Sequence, residues 1–174
     1  TFSPTFGDAN DGQGLLFGGD DVFTGQGGRA SGDAGTITGN GRVVGGDDTI
    51  TYSGALTSSN ISAYGDTFSL FDSVVVYGGD DLIDFSGVTT SVVQSHYIAG
   101  DASGVNNASY LEGGNDTLIA ADFNTVMYGD SVILNGNATL IGGEIFEPTL
   151  LPTRLRHIGK PIGINWLVRA HIDR

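Results

Sequence analysis

Apolar residues recur along this chain in two fixed frames, each keyed to a doubled glycine. Two residues before each of five such pairs stand Leu16, Val43, Val76, Leu111 and Leu140, all aliphatic. Five residues after the first glycine of four of them stand Phe23, Ile50, Ile83 and Leu118. The residue just before the pair varies freely, as Phe17, Val44, Tyr77, Glu112 or Ile141. Stretches such as Thr49-Ile50-Thr51-Tyr52 alternate in β-fashion and are rich in β-branched and aromatic residues, which predicts short strands flanking glycine-rich turns. No helical period competes with this pattern until the last 27 residues, where Asn165 to Ile172 reads equally as a short helix or a strand.

The polar positions share the frame. Four segments repeat one motif: Gly18-Gly19-Asp20-Asp21, Gly45-Gly46-Asp47-Asp48, Gly78-Gly79-Asp80-Asp81 and Gly113-Gly114-Asn115-Asp116. A fifth begins at Gly142-Gly143-Glu144 and then departs. Between them runs a second series, Gly7-Asp8, Gly32-Asp33, Gly65-Asp66, Gly100-Asp101 and Gly129-Asp130. From the glycine of each Gly-Asp pair to the second glycine of the next doublet is 12, 14, 14, 14 and 14 residues; the return path is 13, 19, 21 and 15. One side of each repeat has nearly constant length and the other tolerates insertions. Repeats of this kind predict an all-β parallel solenoid, with one coil per doublet plus Gly-Asp pair. Equivalent strands of successive coils would lie about 4.8 Å apart, sharing a column of apolar side chains that no coil could bury alone.

At these residues the sequence resembles the repeats-in-toxin family of haemolysin-type calcium-binding repeats, whose nonapeptide is Gly-Gly-x-Gly-x-Asp-x-U-x with U apolar. The likeness covers residues 7 to about 143. Gly19, Gly46, Gly79 and Gly114 fall on the second glycine block, Asp21, Asp48, Asp81 and Asp116 on the metal-binding aspartate, and Phe23, Ile50, Ile83 and Leu118 on U. The Gly-Asp pairs look like the opening of the motif with Asp in place of its second glycine. The chain departs from the family where Leu16-Phe17, Val43-Val44 and their equivalents replace the opening Gly-Gly, and in a repeat longer than nine or eighteen residues. The resemblance implies a parallel β-roll, calcium in the turns, and type I secretion to the outside of a Gram-negative cell.

The residue types suit that chemistry. Calcium takes 6–8 oxygen ligands from carboxylates and backbone carbonyls at about 2.3–2.6 Å. Glycine is expected to let each turn adopt positive φ and aim carbonyls inward, with a short Asp reaching the same ion. The expected ligand set is Gly19, Asp20, Asp21, Gly46, Asp47, Asp48, Gly79, Asp80, Asp81, Gly114, Asn115 and Asp116, joined by Asp8, Asp33, Asp66, Asp101 and Asp130 of the second series. Stacking sets Asp48 one rung from Asp21 and Asp81. Two such charges about 5 Å apart repel by roughly 1 kcal/mol in water and by more when partly buried, so a bridging cation would be part of the folding free energy. The competing reading is that Asp after Gly-Gly is ordinary turn chemistry in a metal-free solenoid.

Composition narrows the functions. The net charge of −13 repels nucleic acid and anionic membranes. A hydrophobic share of 39% is too high for a disordered acidic tail. With no Cys there are no disulfides or thiolate metal sites. His96, His157 and His171 form no zinc-like pair, no Gly-x-Ser-x-Gly elbow orders a triad, the Gly-rich runs lack the Lys-Ser/Thr of a phosphate loop, and no loop has EF-hand spacing, so no catalytic site is expected. The first residues lack an initiator Met and a signal peptide, which reads as a processed end, a fragment or export by another route.

Character changes after Glu147. Residues 1–147 carry 19 acids against Arg29 and Arg42, a charge of −17, while residues 148–174 carry five bases against Asp173, a charge of +4. Three of the four prolines and the sole tryptophan, Trp166, lie in this last segment, which reads as a cap, an export signal or a foreign junction. The expectation is a secreted, calcium-binding structural repeat protein of a surface layer, adhesin, filament or matrix. The alternatives are an export and folding module of a secreted hydrolase or toxin, and a carbohydrate-binding solenoid that uses its tyrosines on a surface polysaccharide. The open end at residues 1–17 offers a surface for head-to-tail self-assembly.

Overall fold

A computed structural model of the chain describes residues 5–7, 9–12, 14–56, 61–91, 96–120, 125–142 and 145–146. Every regular element among them is a β-strand, and the strands wind into a four-walled parallel solenoid. Numbered along the chain, the first wall stacks β1 (Thr5–Phe6), β5 (Gly28–Ser31), β9 (Ile61–Tyr64), β13 (His96–Ala99) and β17 (Thr125–Tyr128). The second holds β2 (Ala9–Gly12), β6 (Ala34–Ile37), β10 (Thr67–Leu70), β14 (Ala102–Val105) and β18 (Ser131–Leu134). The third holds β3 (Leu15–Phe17), β7 (Arg42–Val44), β11 (Val75–Tyr77), β15 (Tyr110–Glu112) and β19 (Thr139–Ile141). The fourth holds β4 (Val22–Gly25), β8 (Thr49–Leu56), β12 (Leu82–Ser91), β16 (Asp116–Ile119) and β20 (Ile145–Phe146).

The two apolar frames of the sequence become two vertical columns. Leu16, Val43, Val76, Leu111 and Leu140 pair in register along the third wall. Phe23, Ile50, Ile83 and Leu118 do so along the fourth. The variable return path is absorbed by the fourth wall, where β4, β8, β12 and β16 have 4, 8, 10 and 4 residues. The constant path contains the second and third walls.

The core is divided in two. The first and fourth walls enclose one apolar cluster, built around Ile50, Ile61, Ile83, Phe85, Ile98 and Leu118. Tyr52 stacks edge-on against Phe85 at 4.8 Å there, and the buried His96 ring lies 5.7 Å from Phe85. The second and third walls enclose the other, built around Ile37, Val43, Leu70, Val76, Val105 and Leu111. Between the lobes the corner joining the first two walls meets the corner joining the last two. The Gly-Asp pairs form one of these corners and the Gly-Gly-Asp-Asp motifs the other, so the cross-section is pinched at a waist.

Positive φ falls at a different corner from the one expected. Gly14, Gly39, Asp72, Asn107 and Gly136 all adopt it, each two residues after a second-wall strand. They form one stacked left-handed column of residue types that tolerate this conformation. Among the described residues none of the glycines of the two motif series has positive φ, so the expectation that they use it to aim carbonyls is corrected: their role is to be small.

The Ile83 side chain, fully buried in the middle of its column, tests the shared core. Ile83→Ala should cost about 2–5 kcal/mol, read as a lowered urea midpoint of the whole solenoid; a loss below 1 kcal/mol would contradict continuous packing.

Candidate functional site: an acidic spine at the waist

The waist is lined by acids from both corners. Asp33, Asp48, Asp66, Asp81, Asp101, Asp116 and Asp130 are all buried, with at most 5% exposure. A buried carboxylate needs hydrogen bonds and a counter-charge. The two bases among the described residues lie elsewhere, Arg29 over the Phe68 ring at 3.9 Å and Arg42 over Tyr77 at 4.7 Å.

Hydrogen bonds from the backbone set the carboxylates in ladders. Along the fourth-wall corner, the Asp21 N–H donates to Asp48 Oδ1 at 2.7 Å, the Asp48 N–H to Asp81 Oδ1 at 2.7 Å and the Asp81 N–H to Asp116 Oδ1 at 3.1 Å. Each coil thus holds the acid of the next. Across the waist, Asp33, Asp66 and Asp101 accept from the N–H of Gly46, Gly79 and Gly114 at 3.2, 3.1 and 2.9 Å. The Gly-Asp acids therefore reach the double-glycine turns and tie the two corners together.

These contacts explain the glycines. A Cβ on Gly65 would strike both Asp81 Oδ2 and the Gly100 carbonyl oxygen, and one on Gly100 would strike Asp116 Oδ2 and the Gly129 carbonyl. Gly32 stands in the same relation to Asp48 and Gly65. In the facing corner, Gly18, Gly45 and Gly78 are overlain by Asp33, Asp66 and Asp101. Gly46, Gly79 and Gly114 lie under the backbone of the preceding coil's Gly19, Gly46 and Gly79, leaving no room for a side chain.

Two kinds of oxygen are crowded together beside the waist glycines. Oδ2 of Asp66, Asp81, Asp101 and Asp116 accepts no hydrogen bond. Around Gly65 and Gly100 such an oxygen adjoins a main-chain carbonyl; around Gly78, Asp66 Oδ2 adjoins Asp101 Oδ1. Burial, followed by the charge of Asp81 and then of Asp101, pushes the Asp66 carboxyl well above the usual carboxylate range. Burial, followed by the charge of Asp116, does the same to both Asp81 and Asp101. Asp116 is pushed up to about 8, chiefly by burial, against the lowering effect of the Asp81 N–H. The acids of the two series thus act on one another as a single group.

The residues expected as ligands separate into two sets. Asp48, Asp81 and Asp116 join Asp33, Asp66, Asp101 and Asp130 in the spine, with the half-buried Asp21 at its first coil. The other half of each pair does not: Asp47, Asp80 and Asn115 donate their N–H to Asp20, Asp47 and Asp80 at 3.0, 2.9 and 2.7 Å in an exposed outer row. Asp8 lies outside the described residues. Sequence reasoning gave the Gly-Asp series no partner, yet its acids are among the most deeply buried. The equal 14-residue spacings carry that information, because an excursion of fixed length closes on its starting corner.

For calcium, the donors are of the right kind: carboxylate and main-chain oxygens, several of them buried without a hydrogen bond. Among the described residues no group of three or more His, Cys, Asp or Glu is gathered so as to hold a metal ion by itself. A cation in the spine would therefore take one or two carboxylates from neighbouring coils and complete its shell with glycine carbonyls. Comparison with protein-family models, curated proteins and solved structures finds no match to this chain.

Two outcomes test this geometry. Gly65→Ala should destabilise the fold by about 1–3 kcal/mol or more through overpacking, whereas Gly25→Ala, which meets only the Tyr52 ring at 3.6 Å, should be tolerated; equal effects would count against the close approach. The second is a pH dependence. A carboxyl whose pKa is higher in the fold keeps its proton where the open chain has lost it, so the fold binds more protons and stability falls as pH rises. In metal-free buffer the urea midpoint should decline from pH 5 to pH 8, each such carboxyl removing up to about 1.4 kcal/mol per pH unit; a flat or rising midpoint would refute the burial of protonated acids.

Proposed function

We propose that this chain is a non-catalytic, calcium-binding structural solenoid that completes its fold on taking up the ion outside the cell, as a module of a surface layer, adhesin, filament or matrix. The observation that carries the reading is the repeated buried carboxylate oxygen that accepts no hydrogen bond, on Asp66, Asp81, Asp101 and Asp116. At neutral pH the carboxyls must lose protons to ionise, and each buried uncompensated charge costs several kcal/mol. A divalent cation between coils offsets that cost and can draw on the neighbouring glycine carbonyls as further ligands.

Calcium suits the all-oxygen donors better than magnesium, which demands near-octahedral geometry and dehydrates reluctantly. Ligands drawn from one or two carboxylates plus carbonyls suit the affinities of roughly 10⁻⁴–10⁻³ M typical of extracellular modules. The repeat resemblance supports secretion and a place among the repeats-in-toxin proteins. The architecture supports a structural role: two apolar lobes fill the interior and the acids of the spine face inward.

The test is a calcium titration at pH 8, followed by circular dichroism and calorimetry, with magnesium and chelator controls. The β signal and urea midpoint should rise with calcium, by about 2.7 kcal/mol per site at a hundredfold excess over the dissociation constant, and not with magnesium. Asp81→Asn sharpens the result. Its amide keeps the acceptor for the Asp48 N–H and offers a donor to the Gly100 carbonyl. It should therefore exceed the unsubstituted chain in stability without calcium at pH 8 and fall below it with calcium. No heat of binding and an unchanged midpoint would sink the proposal.

A further inference from the structure

The last coil leaves open what every earlier coil covers. Leu134 stands in register with Ile37, Leu70 and Val105 along the second wall. Those three are at most 1% exposed, whereas Leu134 is 44% exposed. Beside it, Ile133 occupies a column that holds Thr36, Ser69 and Gly104 in earlier coils, and is 46% exposed. Ile141 ends a third-wall column whose preceding member is the exposed Glu112, and is itself 42% exposed. At the other end of the stack the position equivalent to Leu134 is Gly12. While the first coil exposes Leu15, Phe17 and Val22, in the column of Leu134 the exposed apolar residue thus lies at the end where the chain leaves the solenoid.

The acidic ladder also stops there. Ile145 pairs in register with Asp116, placing an aliphatic residue where each previous coil has its buried acid. The coil is apolar where its neighbours are polar, and ends the ion-dependent series.

We propose that residues 148–174 of the same chain dock on this last coil, over Ile133, Leu134 and Ile141. The segment follows β20 directly, so no long linker has to be closed. It brings ten aliphatic and aromatic residues of the kind that match such a face, among them Leu150, Leu151, Leu155, Ile158, Trp166 and Leu167. Its charge of +4 complements the −17 of residues 1–147. A second copy of the solenoid, stacked in register on the same end, would instead set −17 against −17. The occupant is thus the chain's own basic segment, which shields an open parallel edge from association. This docking uses apolar and charge complementarity and does not depend on which ion fills the spine.

Trp166 is the only tryptophan and reports its own surroundings. The full chain carries no cysteine, so a nitroxide can be placed at one position, Asn137→Cys in the exposed turn of the last coil or Thr24→Cys in the exposed first-coil strand β4. Under conditions where circular dichroism shows the β fold, Trp166 emission should be blue-shifted, should lose most of its intensity with the label at 137, and should be unaffected by the label at 24. Intensity lost to neither label, or to the label at 24, would overturn the docking. A third mixture excludes the second copy. Chains carrying both the label at 137 and Trp166→Phe are added to unlabelled chains; quenching there would show that the segment docks on a neighbour and would overturn the proposal.

Discussion

The constraint on which the rest of this solenoid depends is the desolvation of carboxylates at its waist. Seven buried aspartates, each ionised with no counter-charge, would cost several kcal/mol apiece. That sum exceeds the 5–15 kcal/mol by which folded domains are ordinarily stable. Neutralisation, by protons or by a cation, is therefore a condition of the fold. The rest of the cross-section serves it: two apolar lobes hold the corners together, and glycines bring the backbone close enough for its N–H groups to reach the carboxylates. Replacing one such glycine perturbs the carboxylate ladder and a packing interface at once, since they are the same contact.

The ladder also makes the coils interdependent. Asp81 Oδ1 is held by the N–H of Asp48, while the Asp81 N–H holds Asp116. Removing the Asp81 carboxylate leaves the Asp48 N–H without this acceptor, while the Asp81 N–H stays to hold Asp116. Solenoid stability is ordinarily a sum of coil terms and nearest-neighbour terms; here the neighbour term includes charge. Asp66 feels Asp81 across the waist and Asp101 and Asp33 along it, so neutralising one site lowers the cost of keeping the next ionised. Neutralisation is therefore expected to spread along the stack rather than coil by coil.

Much of this was legible in the sequence because a solenoid writes its register as spacing. The columns through Leu16 and Phe23 follow directly from counting between glycines, and both are found in register. The left-handed column was not legible, since its members are Gly, Asp and Asn in turn and no single residue type marks it. Nor was the waist, although its signal was present. Local propensity describes each corner by itself, and only the constant path length says that the two corners meet. The same gap explains the glycines. A reading from turn chemistry assigns them conformational freedom, whereas the structure uses the absence of a Cβ against a carboxylate.

The two acid rows differ in what they demand of their residues, and the buried one is made of aspartate. In the exposed row Asn115 takes the place of an acid, accepting no penalty, and its Nδ2 adds a bond to Asp80 Oδ1 at 3.2 Å. A carboxamide is thus compatible with this stack and is the better residue wherever an acceptor for an N–H and a donor to a carbonyl are both required. The spine requires both: Asp81 Oδ1 accepts from the Asp48 N–H, and Oδ2 abuts the Gly100 carbonyl. Yet all four positions of each waist series, from Asp21 to Asp116 and from Asp33 to Asp130, are acids. A solenoid optimised only for metal-free stability would gain from asparagine there. The carboxylate is the inferior hydrogen-bonding residue and the superior cation ligand, and its eightfold use at the site of greatest desolvation cost argues for a charge that the folded protein needs.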